Sequence, residues 1–212
     1  GLVWYANNVQ KDIDSVEEVP VVTDDSEDVE ETTEVENGGE TTNSISEDRR
    51  ERQEIIAQLY TNVEEKLETG EMVWYEIPEL GIRFPVEKSV KEELVYANIP
   101  ITKKMKEGDS GKTSLTYFST KKMENLSSYC SAENGPLGSL SRRAGEPTDP
   151  SRSCGGGLRV HDFDGGYFCF TTLQATCAPN AQEFTLYGGE IQSYWELFRS
   201  QDFWNTVIID NK

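Results

Sequence analysis

Nowhere in the 212 residues is there a run of about 20 apolar side chains, so no part of this sequence can cross a bilayer as a helix. Histidine is nearly absent, with His161 alone, and no two of the four cysteines have the Cys-x-x-Cys spacing of a zinc ribbon or a dithiol redox site. A Cys/His metal cluster is therefore unsupported, and no metal or other cofactor is expected. Basic residues are scarce as well: 20 Lys and Arg stand against 39 Asp and Glu, for a net charge of −19. A field of that sign repels phosphate, which argues against nucleic acid as a partner. Gly111-Lys112-Thr113 imitates the end of a phosphate-binding loop, but Lys106 stands where that loop needs a glycine to let backbone amides wrap the phosphate.

The charge is unevenly placed. From Lys11 to Asp48 there are 15 acids and one lysine, whereas Met72–Lys212 holds 18 acids and 15 bases. Residues 10–43 are low in complexity, with valines isolated between carboxylates. Ordering such a segment costs about 1–2 kcal/mol per residue with no apolar face to offset it, so it reads as a disordered, self-repelling linker. Before it lies an uncharged stub, residues 1–9, in which Trp4 and Tyr5 precede Asn7-Asn8. Aromatic residues favour the headgroup level, so the stub reads as the outer end of a membrane helix that the given sequence lacks, processed or truncated before Gly1. A signal-peptide remnant is the plainer reading.

From residue 44 onward the patterns are those of a folded domain, 44–212. Ser44 and Glu47 have capping-box spacing, and Ile56, Leu59, Tyr60, Val63 and Leu67 share one helical face, predicting a helix over 44–69 closed by Gly70. The core, 72–212, reads as strands at Val73–Ile77, Ile82–Val86, Leu94–Ile99 and Ser114–Ser119, with Thr120 capping a short helix. Gly135–Leu140 reads as a turn and Ser141–Gly157, rich in Arg, Pro, Ser and Gly, as a long surface loop. Asp164-Gly165-Gly166 between Leu158–Asp162 and Tyr167–Thr172 signals a hairpin. Ile191, Tyr194, Trp195 and Phe198 line a last helix placed after Gly188-Gly189, and Phe203 to Ile209 close the chain against the core. Strands and helices mix without βαβ alternation, so the expected fold is one α+β domain with a mainly antiparallel sheet and packed helices, preceded by the linker.

Cys130, Cys154, Cys169 and Cys177 all lie in the C-terminal part. An even number favours two disulfides in an oxidising, extracytoplasmic compartment over buried thiols; three connectivities remain open. Thr172-Leu173-Gln174-Ala175-Thr176-Cys177, together with Glu76–Ile82, resembles the sortases, in which a cysteine thiolate works with a histidine and an arginine. That resemblance offers Cys177, His161 and Arg199 as a catalytic set. The signature has one residue too many before the cysteine, and His161 lies one hairpin away rather than several strands upstream. His161-Asp162-Phe163-Asp164-Gly165-Gly166 spaces carboxylates like a calcium loop, but Leu173 stands where the closing glutamate belongs. Arg142, Arg143, Arg152 and Arg159 cluster around the expected loop and are the candidate contact surface, for a partner protein or for the acidic linker, because arginine favours interfaces and carboxylates.

Glu76–Phe84, Tyr117-Phe118-Ser119-Thr120-Lys121-Lys122 and Gly135-Pro136-Leu137-Gly138-Ser139-Leu140, with Cys130 and Cys177 flanking the long loop, resemble a group of uncharacterised single-pass exported proteins of Saccharibacteria-type bacteria. The resemblance covers residues 72–212. It implies an N-terminal membrane helix, a variable linker, an extracytoplasmic α+β domain and no known activity. It pairs Cys130 with Cys177; Cys154 and Cys169 stand outside the pattern and are assigned to each other. The expectation is thus a non-catalytic, membrane-tethered cell-surface module, single-pass with its domain on the extracytoplasmic side, contacting another protein or the envelope. A sortase-like transpeptidase using Cys177 is the alternative.

Overall fold

The computed structural model describes residues 40–102, 111–146, 154–172, 177 and 181–210, with backbone alone for 40–46, 181–187 and 190. The stub, most of the acidic tract, Arg152 and residues 173–176 of the cysteine signature lie outside the described residues.

Two antiparallel sheets carry the domain. In the first, β1 (Met72–Ile77) pairs with β2 (Ile82–Glu87), which pairs with the short β8 (Ile208–Ile209). The second runs in the order β3 (Leu94–Asn98), β4 (Lys112–Thr120), β5 (Ser139–Ala144), β7 (Gly166–Thr171), β6 (Leu158–Phe163), antiparallel throughout. The helices are α1 (Glu40–Leu59), α2 (Val63–Glu68), α3 (Lys88–Glu93), α4 (Lys121–Leu126), α5 (Ala181–Arg199) and α6 (Gln201–Trp204). This is an α+β fold with antiparallel sheets.

The core forms where both sheets and the helices turn their apolar faces inward. Phe84 from the first sheet and Phe118, Phe168 and Phe170 from the second meet Phe198, Phe203 and Trp204 from α5 and α6, all fully buried. Most of their rings pack edge-on or tilted, at centroid separations such as 5.1 Å for Phe84–Phe203 and 4.8 Å for Phe118–Phe198, and Phe168 stacks on Trp204 at 5.3 Å. Helix α1 docks on this core through Ile56, and Tyr60 just beyond its end is buried with it. The Tyr60 hydroxyl donates to the Pro85 carbonyl at 3.0 Å, and burial pushes that phenol far above its ordinary pKa.

Several boundaries differ from the sequence reading, each for a visible reason. The predicted helix 44–69 is two helices: α1 begins at Glu40, so Ser44 lies inside it rather than capping it, and Asn62 at φ 55° breaks it. Lys66 Nζ reaches back to the carbonyls of Gln58 and Leu59, satisfying the exposed end of α1. The expected loop at Ser141 is instead β5, a central strand. Gly188-Gly189 sits within α5, not before it. Thr120 caps α4 as expected, its Oγ1 accepting from the Met123 amide.

Candidate contact surface and disulfides

The four cysteines are used in two bonds, Cys130–Cys177 and Cys154–Cys169, with Cα separations of 4.9 and 5.5 Å. Cys130 sits in the 3-10 turn Ser128–Cys130 that follows α4, its carbonyl held by the Ser119 hydroxyl of β4. Cys169 lies in β7, and both partners of the second bond are buried. Two disulfides fit an extracellular, oxidising environment. Because Cys177 Sγ is bonded to Cys130, it is not the free thiolate that a transpeptidase nucleophile must be.

His161 is occupied too. Its ring lies flat on the Trp204 indole, centroids 5.1 Å apart and planes 9° from parallel. Trp204 is itself pinned by its Nε1–H to the Phe198 carbonyl at 2.9 Å. Partial burial holds the His161 pKa below its ordinary value, against the opposing pull of Asp162. Arg199 is the last residue of α5, and no hydrogen bond among the described residues links it or His161 to Cys177. The supposed catalytic set is thus one disulfide, one stacked ring and one helix end.

The arginines also need correction. Arg142 and Arg143 lie on β5, not on a loop. Arg143 is 3% exposed and faces the side of the sheet that carries Cys169, so its charge is not offered to a partner. Arg142 points to the other face and acts as a clamp. Its Nη1 donates to the Leu80 carbonyl at 3.0 Å and to the Asp210 carbonyl at 3.2 Å, and Nη2 reaches Asp210 at 3.3 Å. The guanidinium lies over the Phe163 ring at 4.7 Å. One side chain thereby ties the β1–β2 turn, the chain end beyond β8 and the β6–β7 hairpin to β5. Gly81 makes room for it: a Cβ there would run into Arg142 Nη1, and the backbone holds φ 64°. Beside the clamp lies an open groove of about 580 Å³ between the β1–β2 turn and the hairpin. Among the described arginines of the cluster, Arg159 is the one directed outward, over the Tyr167 ring at 4.5 Å and paired with Asp162 and Glu146.

Among the described residues neither motif-like segment holds a metal-ligand set. Gly111 accepts from the Ala144 amide at 2.7 Å and Lys112 opens β4, so that glycine serves strand entry. Asp164-Gly165 forms the two-residue turn of the β6–β7 hairpin, with Gly165 at φ 85°. Among the described residues no three His, Cys, Asp or Glu side chains converge as a metal site, and no helix is long and apolar enough to cross a membrane. Comparison with protein-family models, curated proteins and solved structures finds no match to this chain.

Proposed function

We propose that this chain is a non-catalytic module of the cell surface, tethered to the membrane through a helix preceding Gly1, whose acidic linker carries a disulfide-stapled domain out to meet another protein or the envelope. The observation that carries the reading is the use of all four cysteines in two bonds, which fits a domain working outside the cytoplasm. Support for a binding rather than a catalytic role comes from the fates of the three residues that the sequence offers for chemistry: bonded, stacked, or at a helix end. The tether is supported by the Trp4-Tyr5 stub, by the charge of the linker that follows, and by the resemblance to single-pass exported proteins of Saccharibacteria-type bacteria.

The test is made on the protein in its native cell. Thiol alkylation with and without reductant, followed by peptide mapping, is combined with membrane fractionation and protease shaving of intact cells. The reading expects four alkylatable cysteines only after reduction, partition with membranes, and cleavage of the linker from outside. A soluble cytosolic protein with four reduced thiols overturns it.

A further inference from the structure

Sheets end in edges, and edges show unpaired backbone groups that other chains can pair with. Among the described residues this domain has four. Strand β8 is two residues long. Strand β6 carries a bulge at Val160 and the Arg159–Asp162 ion pair, both of which discourage pairing. Strand β1 has its Trp74 carbonyl capped by Lys91 Nζ at 2.8 Å. Strand β3 differs: Leu94-Val95-Tyr96-Ala97-Asn98 has no charge, no proline and no bulge.

The hydrogen-bond parity of β3 follows from one contact. Ile99 donates to the Leu115 carbonyl at 2.8 Å, so Ala97 and Val95 also face β4, while Leu94, Tyr96 and Asn98 turn their amides and carbonyls outward. The Leu94 carbonyl is taken by the Tyr75 hydroxyl at 3.0 Å. The outward amides of Tyr96 and Asn98 have no acceptor among the described residues.

This edge opens onto a groove of about 590 Å³ lined by Trp74, Tyr75, Glu76, Lys91, Leu94 and Tyr96. The indole of Trp74 and the ring of Tyr96 are half-buried, offering aromatic faces to alternate side chains of an added strand. Glu76 and Lys91 line the groove, and the residues flanking it add more carboxylates than cations. Glu79 accepts from the Tyr96 hydroxyl at 3.3 Å, and Glu92 and Glu93 stand just before Leu94. Lys91 is engaged by the Trp74 carbonyl, and Arg83 lies over the Trp74 ring, cross-strand from Glu76.

We infer that β3 is a docking edge for an extended, basic polypeptide segment of another protein, which pairs with Tyr96 and Asn98 as an added strand and lays cationic side chains among Glu76, Glu79, Glu92 and Glu93. Backbone pairing supplies the affinity, and the aromatic and acidic lining supplies the selection. The inference deepens the contact role proposed above and does not depend on the tether.

The probe is a synthetic heptapeptide of alternating lysine and valine, titrated against the full 212-residue chain at low ionic strength. Controls are the same peptide with alternate amides N-methylated and a glutamate–valine peptide. Amide exchange, read by NMR, is expected to slow at least tenfold at Tyr96 and Asn98 in saturating basic peptide. Both controls are expected to bind at least tenfold more weakly. Asn98→Pro removes only an outward amide, so it is expected to weaken binding at least tenfold while the melting temperature stays within about 2 °C. Equal binding of the N-methylated peptide, or binding without protection at Tyr96 and Asn98, overturns the docking edge. Equal binding of the acidic peptide overturns the basic partner. Protection that rises with protein concentration alone assigns the edge to a second copy of this chain and also overturns the inference. None of these outcomes bears on the cellular location, which the alkylation and fractionation experiment decides separately.

Discussion

Replacing Arg142 with methionine keeps the apolar stem and removes the fork that joins three parts of the chain. The bond to Leu80 is partly buried, and a hydrogen bond from a charged donor in such a place is worth about 1.5 kcal/mol. The two longer contacts to Asp210 are exposed and together add about 0.5 kcal/mol after solvent screening. The position over Phe163 adds about 0.5 kcal/mol. The sum, about 2–3 kcal/mol, is expected in urea denaturation as a lower midpoint at unchanged slope. The loss should also be local first. The Asp210 amide donates to the Gly81 carbonyl at 2.8 Å, and β8 pairs with Ile82 and Arg83, so the Asp210 and Ile208 amides, which face β2, should exchange faster than those of β4 or β7. Arg142→Lys should rescue little, because a point charge cannot serve two carbonyls in one plane. A double-mutant cycle sharpens the test: Gly81→Ala should cost less in the methionine background, where its Cβ no longer meets a guanidinium. A loss below about 0.5 kcal/mol, or an Asp210 amide as protected as in the native protein, refutes the clamp.

Replacing Cys130 and Cys177 together with alanine should cost about 4 kcal/mol, because the bond closes a separation of 47 residues; opening the 15-residue Cys154–Cys169 loop should cost about 3 kcal/mol, and urea midpoints check both. Ile56→Ala should cost about 3 kcal/mol by leaving a cavity where α1 docks, read in the same assay. Because the His161 pKa is lowered in the fold, the unfolded chain binds the extra proton, so this residue's contribution is fully present above its ordinary value of 6.5 and declines as pH falls below it. His161→Gln should flatten that part of a stability–pH profile, and an unchanged slope between pH 7 and 5 counts against the stacked, neutral ring.

The hairpin of β6 and β7 and the strands β1 to β4 are legible because each places local pattern and turn chemistry in agreement. Leu158–Thr171 has alternation at the start of its first arm, an apolar aromatic run in its second, and Asp164-Gly165 between them. Strand β5 is not legible. Ser139-Leu140-Ser141-Arg142-Arg143-Ala144 holds no β-branched or aromatic residue, and its two arginines suggest solvent. What makes it a strand is long-range: β4 and β7 on either side, acceptors for Arg142 contributed by residues 80 and 210, and burial of Arg143. Arg142 and Arg143 read as loop residues for the same reason, and the pleat sends these two neighbours in sequence to opposite faces. Helix α3 escapes notice because six residues with one buried side chain, Val90, leave too little periodicity to see. Strand β3 shows plainly as a strand, but nothing local says that it is an edge, which depends on the order of all five strands.

The two disulfides are nested in the chain, Cys154–Cys169 lying wholly between Cys130 and Cys177. Pulled from its ends, the oxidised protein could not pay out the residues between Cys130 and Cys177, a reserve of roughly 160 Å at about 3.4 Å per residue. The inner bond carries no tension while the outer one holds. Under force, then, the outer bond alone sets how far the domain extends, and a reductant that opened only the inner bond would leave that reach unchanged.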